Sequence, residues 1–276
     1  MPGLQDRVAF ITGAGRGQGR AHAVRLAREG ADIIGVDICA DIDSMNYPNA
    51  TEADLAETER LVGKEGRRMV ARKADVRDFT GLRAAFEDGY REFGRVDIVI
   101  ANAGIIRLGP ESEDFLSDWN DVIDTNLTGV YHTVRAALPA LREGGRGGSI
   151  VITSSTAGLK ASPSLFASGQ AYAAAKRGVV ALAQGLAGYL APEWIRVNTI
   201  HPTGVASGMT KNDAMRALME QAAAGGSNAI SGMQNALPLP MLEATDVAEA
   251  VAFLVSDAAR FITGIAWPLD AGFTIR

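Results

Sequence analysis

Seven short apolar runs, separated by segments of helical rhythm, constrain this chain more than any other feature. They are RVAFIT (7–12), ADIIGVD (31–37), RMVARKADV (68–76), VDIVIANAG (96–104), GSIVITSS (148–155), IRVNTIHP (195–202) and GIAWPLDAG (264–272). Most are rich in Val and Ile and nearly unbroken, where a strand with one wet face would alternate. Strands of that kind are covered on both faces, and the intervening segments supply the cover. RAHAVRLAREG (20–30), for example, has helical spacing and stops on Gly30, as helices do. The alternation predicts an α/β fold, a doubly wound parallel sheet of about seven strands with right-handed crossovers.

The length of 276 residues and a hydrophobic content of 47% suit one such domain. No stretch rich in Pro, Gly or Ser is long enough to divide it; EGGRGGS (143–149) reads as a loop before a strand. The net charge of −5 argues against a nucleic-acid footprint. A lone Cys39 rules out an internal disulfide framework and suits a reducing cytoplasm, and three His leave too few soft ligands for a structural metal. The opening MPGLQDRVAF is read as lacking a secretory leader, and no run approaches the roughly 20 apolar residues of a membrane span.

The first run leads into TGAGRGQG (12–19) and then a helical segment. Glycines there let a backbone approach a pyrophosphate, and the N–H groups of a helix start attract it. A tight strand-to-helix turn would look the same in isolation. Asp37, closing the second run, adds a partner for a ribose 2′-hydroxyl and repels a 2′-phosphate, which favours NAD over NADP. Further on, AYAAAKRG places Tyr172 and Lys176 four residues apart, one turn of helix. An ammonium beside a phenol lowers its pKa, and a phenol so tuned can exchange a proton with an alcohol. Alone, that spacing is also common on helix surfaces. Ser155, at a strand's end in ITSSTAG, could hold an alcohol oxygen, with Ser154 as its rival and a strand-end cap as the plainer role. Asn126 interrupts a helical pattern in DTNLTGVYHTV, where its plain reading is a kink.

Together these motifs resemble the short-chain dehydrogenase/reductase family, whose fingerprint is Thr-Gly-x-x-x-Gly-x-Gly followed by Asn, Ser, Tyr and Lys. The resemblance covers nearly the whole chain and implies a Rossmann-like fold. It also implies that Asn126, Ser155, Tyr172 and Lys176 are catalytic, Asn126 marking a bulge on the outward proton path and Lys176 holding the cofactor ribose. For cofactor contacts it implies Gly13, Arg16, Gly17, Gln18 and Gly19 in the cradle, Asp37 and Ile38, Asp75 and Val76 at the adenine, and Asn102, Ala103 and Gly104 beneath the ribose. Pro202, Thr203, Gly204, Val205 and Ser207 complete the set, with the Val205 backbone on the nicotinamide carboxamide. Gln18 departs from the aliphatic residue usual there, Ala101 from an Asn and Thr203 from a Gly.

Asp37 is followed by ICADIDSMNYPNA (38–50), which has neither strand nor helix rhythm. Connections in such units usually run about 2–6 residues. Either this is an inert surface insertion, or it is a flap over bound NAD, with Met45 and Tyr47 covering adenine and Pro48 stiffening the turn. VDIC, GGRGGSIVITSSTAGLK and WPLDAGFTIR are similar to the mycofactocin-coupled, carveol dehydrogenase-like subfamily. That resemblance implies an NAD that does not exchange and is reoxidised in place by mycofactocin. ASGM (206–209) departs from the NTPM-like run expected after Val205. Segment 204–243 holds five of the eight methionines and is read as a substrate lid or as ordinary helix packing; a lid would point to an apolar secondary alcohol. The family resemblance of helices 116–142 and 170–190 implies a homotetramer. Two rivals stand beside this reading: a ketoreductase with freely exchanging NAD(P)H, and a non-catalytic dinucleotide-sensing regulator.

Overall fold

The computed structural model describes residues 3–162, 164–224 and 234–276. Seven parallel strands form one sheet: β1 (Val8–Thr12), β2 (Asp32–Asp37), β3 (Met69–Lys73), β4 (Ile98–Ala101), β5 (Gly148–Thr153), β6 (Ile195–Pro202) and β9 (Ala266–Leu269). Their spatial order is β3-β2-β1-β4-β5-β6-β9. A two-residue parallel pair, β7 (Val205–Ala206) with β8 (Leu242–Glu243), joins the two ends of segment 204–243. The helices are α1 (Gly17–Arg28), α2 (Glu52–Lys64), α3 (Phe79–Phe93), α4 (Phe115–Ile123), α5 (Gly129–Gly144), α6 (Ala167–Leu190), α7 (Asp213–Ala224) and α8 (Ala244–Val255).

The unbroken apolar strands have a direct explanation in the two cores. Phe10, Ile34, Val99, Ile150 and Ile152 face one side and meet Val130, Val134 and Leu141 of α5 and Val179 of α6. Ile11, Ile33, Ile98, Ile100 and Val151 face the other and meet Leu26 of α1 and Val251 of α8. With both faces dry, no position on a central strand has a reason to be polar.

Strands β3, β4 and β9 each end three residues before the close of the apolar run that announces it. Residues 74–76 and 102–104 leave the sheet at the carboxyl ends of β3 and β4 and turn into a crevice. Thr12 explains the second turn: its Oγ1 accepts the N–H of Asn102 at 3.2 Å, and its carbonyl accepts Asn102 Nδ2 at 3.1 Å. Between β1 and β4 the winding changes direction, which in open α/β sheets is where ligands settle. Among the described residues, no helix is long and apolar enough to cross a membrane, and no group of three or more His, Cys, Asp or Glu is placed to hold a metal ion.

Candidate active site

The first wall of the crevice is the start of α1. Helix α2 begins with a Thr51–Asp54 capping box, and α3 and α4 are capped by Asp78 and Asp114. Helix α1 has neither a side-chain cap at Arg16 nor an acid in its first turn. Its leading N–H groups therefore stay available to an anion, with the helix dipole behind them. Gly19 makes the approach possible, because a Cβ there would lie 1.9 Å from the Gly13 carbonyl oxygen. Arg20 points away from the crevice and ties the loop to α2 through Gly15 O (2.6 Å) and Asp54 O (2.7 Å). Gln18 lines the crevice, and its buried Oε1 finds no partner in the protein.

Asp37 closes β2 against this loop. Its Oδ2 accepts the Gly15 N–H at 2.8 Å and its Oδ1 the Cys39 N–H at 3.3 Å. Burial pushes the carboxyl up, and those two N–H groups oppose the shift. Ile38, Asp75, Val76, Asn102, Ala103, Gly104 and Ser207 share the crevice wall with Gly13, Arg16 and Gly17. Asp75 is held by Arg77, which also reaches Asp121, and the Val76 carbonyl is 2.9 Å from His132 Nδ1. An open helix start, a buried acid at the second strand and an unpaired acceptor at Gln18 together fit a dinucleotide.

The insertion 38–50 lines the crevice with Ile38, Ile42, Tyr47, Asn49 and Ala50, on the same wall as Asp37, Asp75 and Val76. Ile42 and Met45 pack with Ile105, Val122 and Ala171, and against Tyr172, so Met45 belongs to the scaffold of α4 and α6 and does not cover adenine. Asn46 exchanges two bonds with the backbone of Leu108, at 2.7 and 3.1 Å, and Ser44 Oγ donates to Asp121 at 2.6 Å. The buried Tyr47 lines the crevice and accepts the Ile106 N–H at 3.3 Å. On its way back the insertion receives Arg16, whose guanidinium donates to the Pro48 carbonyl at 2.5 Å. Gly208 makes room for that guanidinium: a Cβ at 208 would stand 2.6 Å from Arg16 Cζ.

At the carboxyl end of β5 the two serines separate. Ser154 is buried and its Oγ donates to the Lys176 carbonyl at 2.8 Å, which bolts α6 to the strand. Ser155 is half-buried; its hydroxyl caps a short 3₁₀ turn (Thr156–Gly158) through Ala157 N–H at 3.2 Å and also meets the Tyr172 phenol. Lys176 is buried and donates to the Thr153 carbonyl at 2.7 Å, with its Nζ 5.5 Å from the centre of the Tyr172 ring. Asn126 lies in a single π-helical turn (Asp124–Thr128), packed against α6, where the ladder is interrupted by one residue. Its amide clamps Ile105, donating to the carbonyl at 2.7 Å and accepting the N–H at 2.8 Å.

Both groups of the pair are buried, and burial disfavours the ion of each. Burial raises Tyr172, and the opposing pull is the Ser155 hydroxyl. The same burial pushes the Lys176 ammonium down to about 8. In a dry site each ion is penalised before its neighbour can help it.

Sequence reasoning passed over His201. This buried imidazole sits 2.8 Å from the Ser155 carbonyl through Nδ1 and 2.7 Å from Thr199 Oγ1 through Nε2. A carbonyl only accepts, so Nδ1 carries the hydrogen and the ring holds the backbone of Ser155 in place. Its one signal was a polar ring in an apolar strand. The crevice wall also includes Ile42, Asn49 and Thr125, none of which belongs to a recognisable motif, and Met209 of ASGM. Pro202, Thr203, Gly204 and Val205 lie off this wall. Thr203 Oγ1 donates to Asn235, the Gly204 carbonyl accepts Leu242 N–H, and the Val205 carbonyl accepts Thr210 Oγ1.

With this geometry in hand, comparison with known proteins is informative. The short chain dehydrogenase family model matches residues 7–217. An uncharacterised oxidoreductase of Mycobacterium tuberculosis is 50% identical over 98% of this chain and 97% of its own. A (-)-trans-carveol dehydrogenase of Rhodococcus erythropolis is 45% identical over all of both chains. The crystal structure of a carveol dehydrogenase from Mycobacterium avium in complex with NAD superimposes with a TM-score of 0.91, at 45% identity over the full length of both chains.

Proposed function

This chain belongs to the short-chain dehydrogenase family, and on that premise we propose that it oxidises an apolar secondary alcohol to a ketone, reversibly, with an NAD that stays bound between turnovers. It is an NAD-dependent alcohol dehydrogenase, like the carveol dehydrogenases that match it end to end. The observation that carries the chemistry is buried Lys176, held on the Thr153 carbonyl at the end of β5 with its Nζ 5.5 Å from the centre of the Tyr172 ring, beside the Ser155 hydroxyl that opposes the upward shift of the phenol. The crevice residues would hold NAD, and when bound it would supply the hydride acceptor for the alcohol carbon.

The chain's own residues handle the proton. Tyr172 takes it from the hydroxyl, Ser155 fixes the oxygen, and His201 and Ser154 hold Ser155 and Lys176 in register from behind. Lys176 supplies positive charge beside the phenol, and Asn126 keeps the π-turn and the 102–105 turn together next to it. Gly13, Arg16, Gly17, Gln18 and Gly19 take the pyrophosphate side, Asp37 and Ile38 the adenosine ribose, Asp75 and Val76 the adenine, and residues 202–207 the nicotinamide side.

Retention of NAD is supported by the insertion, which is bonded to both banks of the crevice through Arg16–Pro48 and Asn46–Leu108. In this reading, reoxidation in place falls to a mycofactocin-type carrier. An exchanging NADPH-dependent ketoreductase is disfavoured, because the Arg16 guanidinium is engaged by Pro48 and Asp37 stands where a 2′-phosphate would fall. Segment 204–243 is the substrate lid, the protein works in the cytoplasm, and exposed Phe115, Leu116, Trp119 and Tyr131 on α4 and α5 suit a homotetramer.

Two experiments test this. Protein dialysed at length and then denatured should release near-stoichiometric NAD and no NADP by mass spectrometry; an empty protein that turns over added NAD would remove the retention and the carrier together. Tyr172→Phe should abolish turnover while leaving bound NAD unchanged. A non-catalytic sensor would instead behave as before.

A further inference from the structure

Among the described residues, three buried threonines sit in α- or π-helical backbone, and they do not behave alike. Thr58 and Thr133 turn their hydroxyls onto the carbonyl four residues earlier: Thr58 Oγ1 lies 3.2 Å from Asp54 O, and Thr133 Oγ1 donates to Gly129 O at 2.7 Å. Back-bonding is the usual refuge of a hydroxyl in a helix. Thr125, in the π-helical turn, is only 5% exposed, yet its Oγ1 has no partner. The carbonyl of Asp121, four residues earlier, already accepts the N–H of Asp124.

A buried hydroxyl with nothing to bond destabilises a fold, and a valine would fill the same space without that cost. Thr125 lies on the crevice wall together with Asp37, Ala74, Asp75 and Val76, while Ser155, Tyr172 and Lys176 do not. Gly129, one turn further along the same helical stretch, sits so close to Val76 that a Cβ there would lie 2.5 Å from Val76 Cγ2, which places the Thr125 turn against the Asp75–Val76 side of the crevice.

We propose that Thr125 is a cofactor-recognition residue whose hydroxyl bonds a polar atom of the adenosine half of NAD. The inference rests on NAD being the cofactor. It has a signature that a structural hydroxyl lacks, because removing the oxygen helps the empty protein and harms the loaded one.

The test uses the full-length protein stripped of nucleotide with charcoal, with ADP-ribose and nicotinamide mononucleotide as calorimetric probes. Thr125→Val should melt about 2–4 °C above the wild type when empty. It should bind ADP-ribose roughly three- to tenfold more weakly and nicotinamide mononucleotide unchanged. Thr125→Ser keeps the oxygen and should restore ADP-ribose affinity. Equal ADP-ribose affinity in Thr125→Val and the wild type would overturn the proposal, and so would a lower melting temperature of the empty variant, since the hydroxyl would then have a partner inside the protein. A wild type that fails to bind ADP-ribose at all would overturn the NAD reading itself, and this inference with it.

Discussion

Two long connections border the crevice, and they are built in opposite ways. The insertion 38–50 buries Cys39, Ile42, Ser44, Met45, Tyr47 and Ala50, and its backbone and side chains are bonded to Arg16, Ile106, Leu108 and Asp121. In segment 204–243 much of α7 faces solvent; Met219 is 51% exposed and Met241 36%. Of its described methionines, Met209 lines the crevice. In sequence both stretches can be read as covers over the crevice. The difference teaches that length alone does not mark a lid. What matters is whether apolar side chains and backbone polar groups find partners, because those partners set the free energy of opening. By that measure the insertion is a fixed wall, continuous with the scaffold of Tyr172, whereas the described side chains of α7 are largely exposed.

The largest expected effect comes from removing the wall. Replacing residues 40–48 with a short Gly–Ser link should lower the melting temperature by about 10 °C and abolish NAD retention. Because Met45 packs beside Ala171 and Tyr172, turnover should fall as well, even with NAD in excess. Full activity in saturating NAD would show that the insertion is only a cover. Next, Met45→Ala should cost about 2–5 kcal/mol in a denaturant titration, whereas Met219→Ala should stay within about 0.5 kcal/mol. Equal costs would break the comparison outright. Arg16→Ala cuts the tie between the cradle and the insertion. Its stability should barely move, while NAD should leave roughly three- to tenfold faster in a dilution chase.

The smallest effect at neutral pH is expected outside both regions. His22 on α1 is fully buried, neither ring nitrogen has a partner, and burial pushes its pKa down to about 3. The fold therefore favours the neutral ring, so the unfolded chain binds the extra proton between pH 3 and the ordinary value of 6.5. Stability is present above 6.5 and is lost as pH falls toward 3. His22→Leu should be neutral or slightly stabilising at pH 7, and should flatten the decline on acidification seen in thermal melts of the wild type.

Much of the fold was legible because its signals are local. Ile33 and Ile34, or Val99 and Ile100, show by adjacency that both faces of the sheet are covered. The Gly-rich turn, Asp37 and the four-residue step from Tyr172 to Lys176 could be read because each depends on near neighbours along the chain. Harder to read were Met45, whose neighbours Val122 and Ala171 lie far along the chain, and Arg16, whose direction is set by Pro48 and Gly208. The dryness of the Tyr172–Lys176 site was hidden for a different reason. Spacing reports proximity, but the sign of a pKa shift depends on how dry the site is.

What this sequence determined by itself was the parallel doubly wound sheet, the anion-ready start of α1 and the spacing of the tyrosine and lysine. Tertiary structure alone decided that Ser154 bolts α6 while Ser155 meets the phenol, that His201 holds Ser155 from behind, and that Thr125 is left without a partner. The physical reason is range. Periodicity and capping depend on residues within a few positions of each other, whereas the partner of a buried polar atom is chosen by packing segments that lie tens of residues apart.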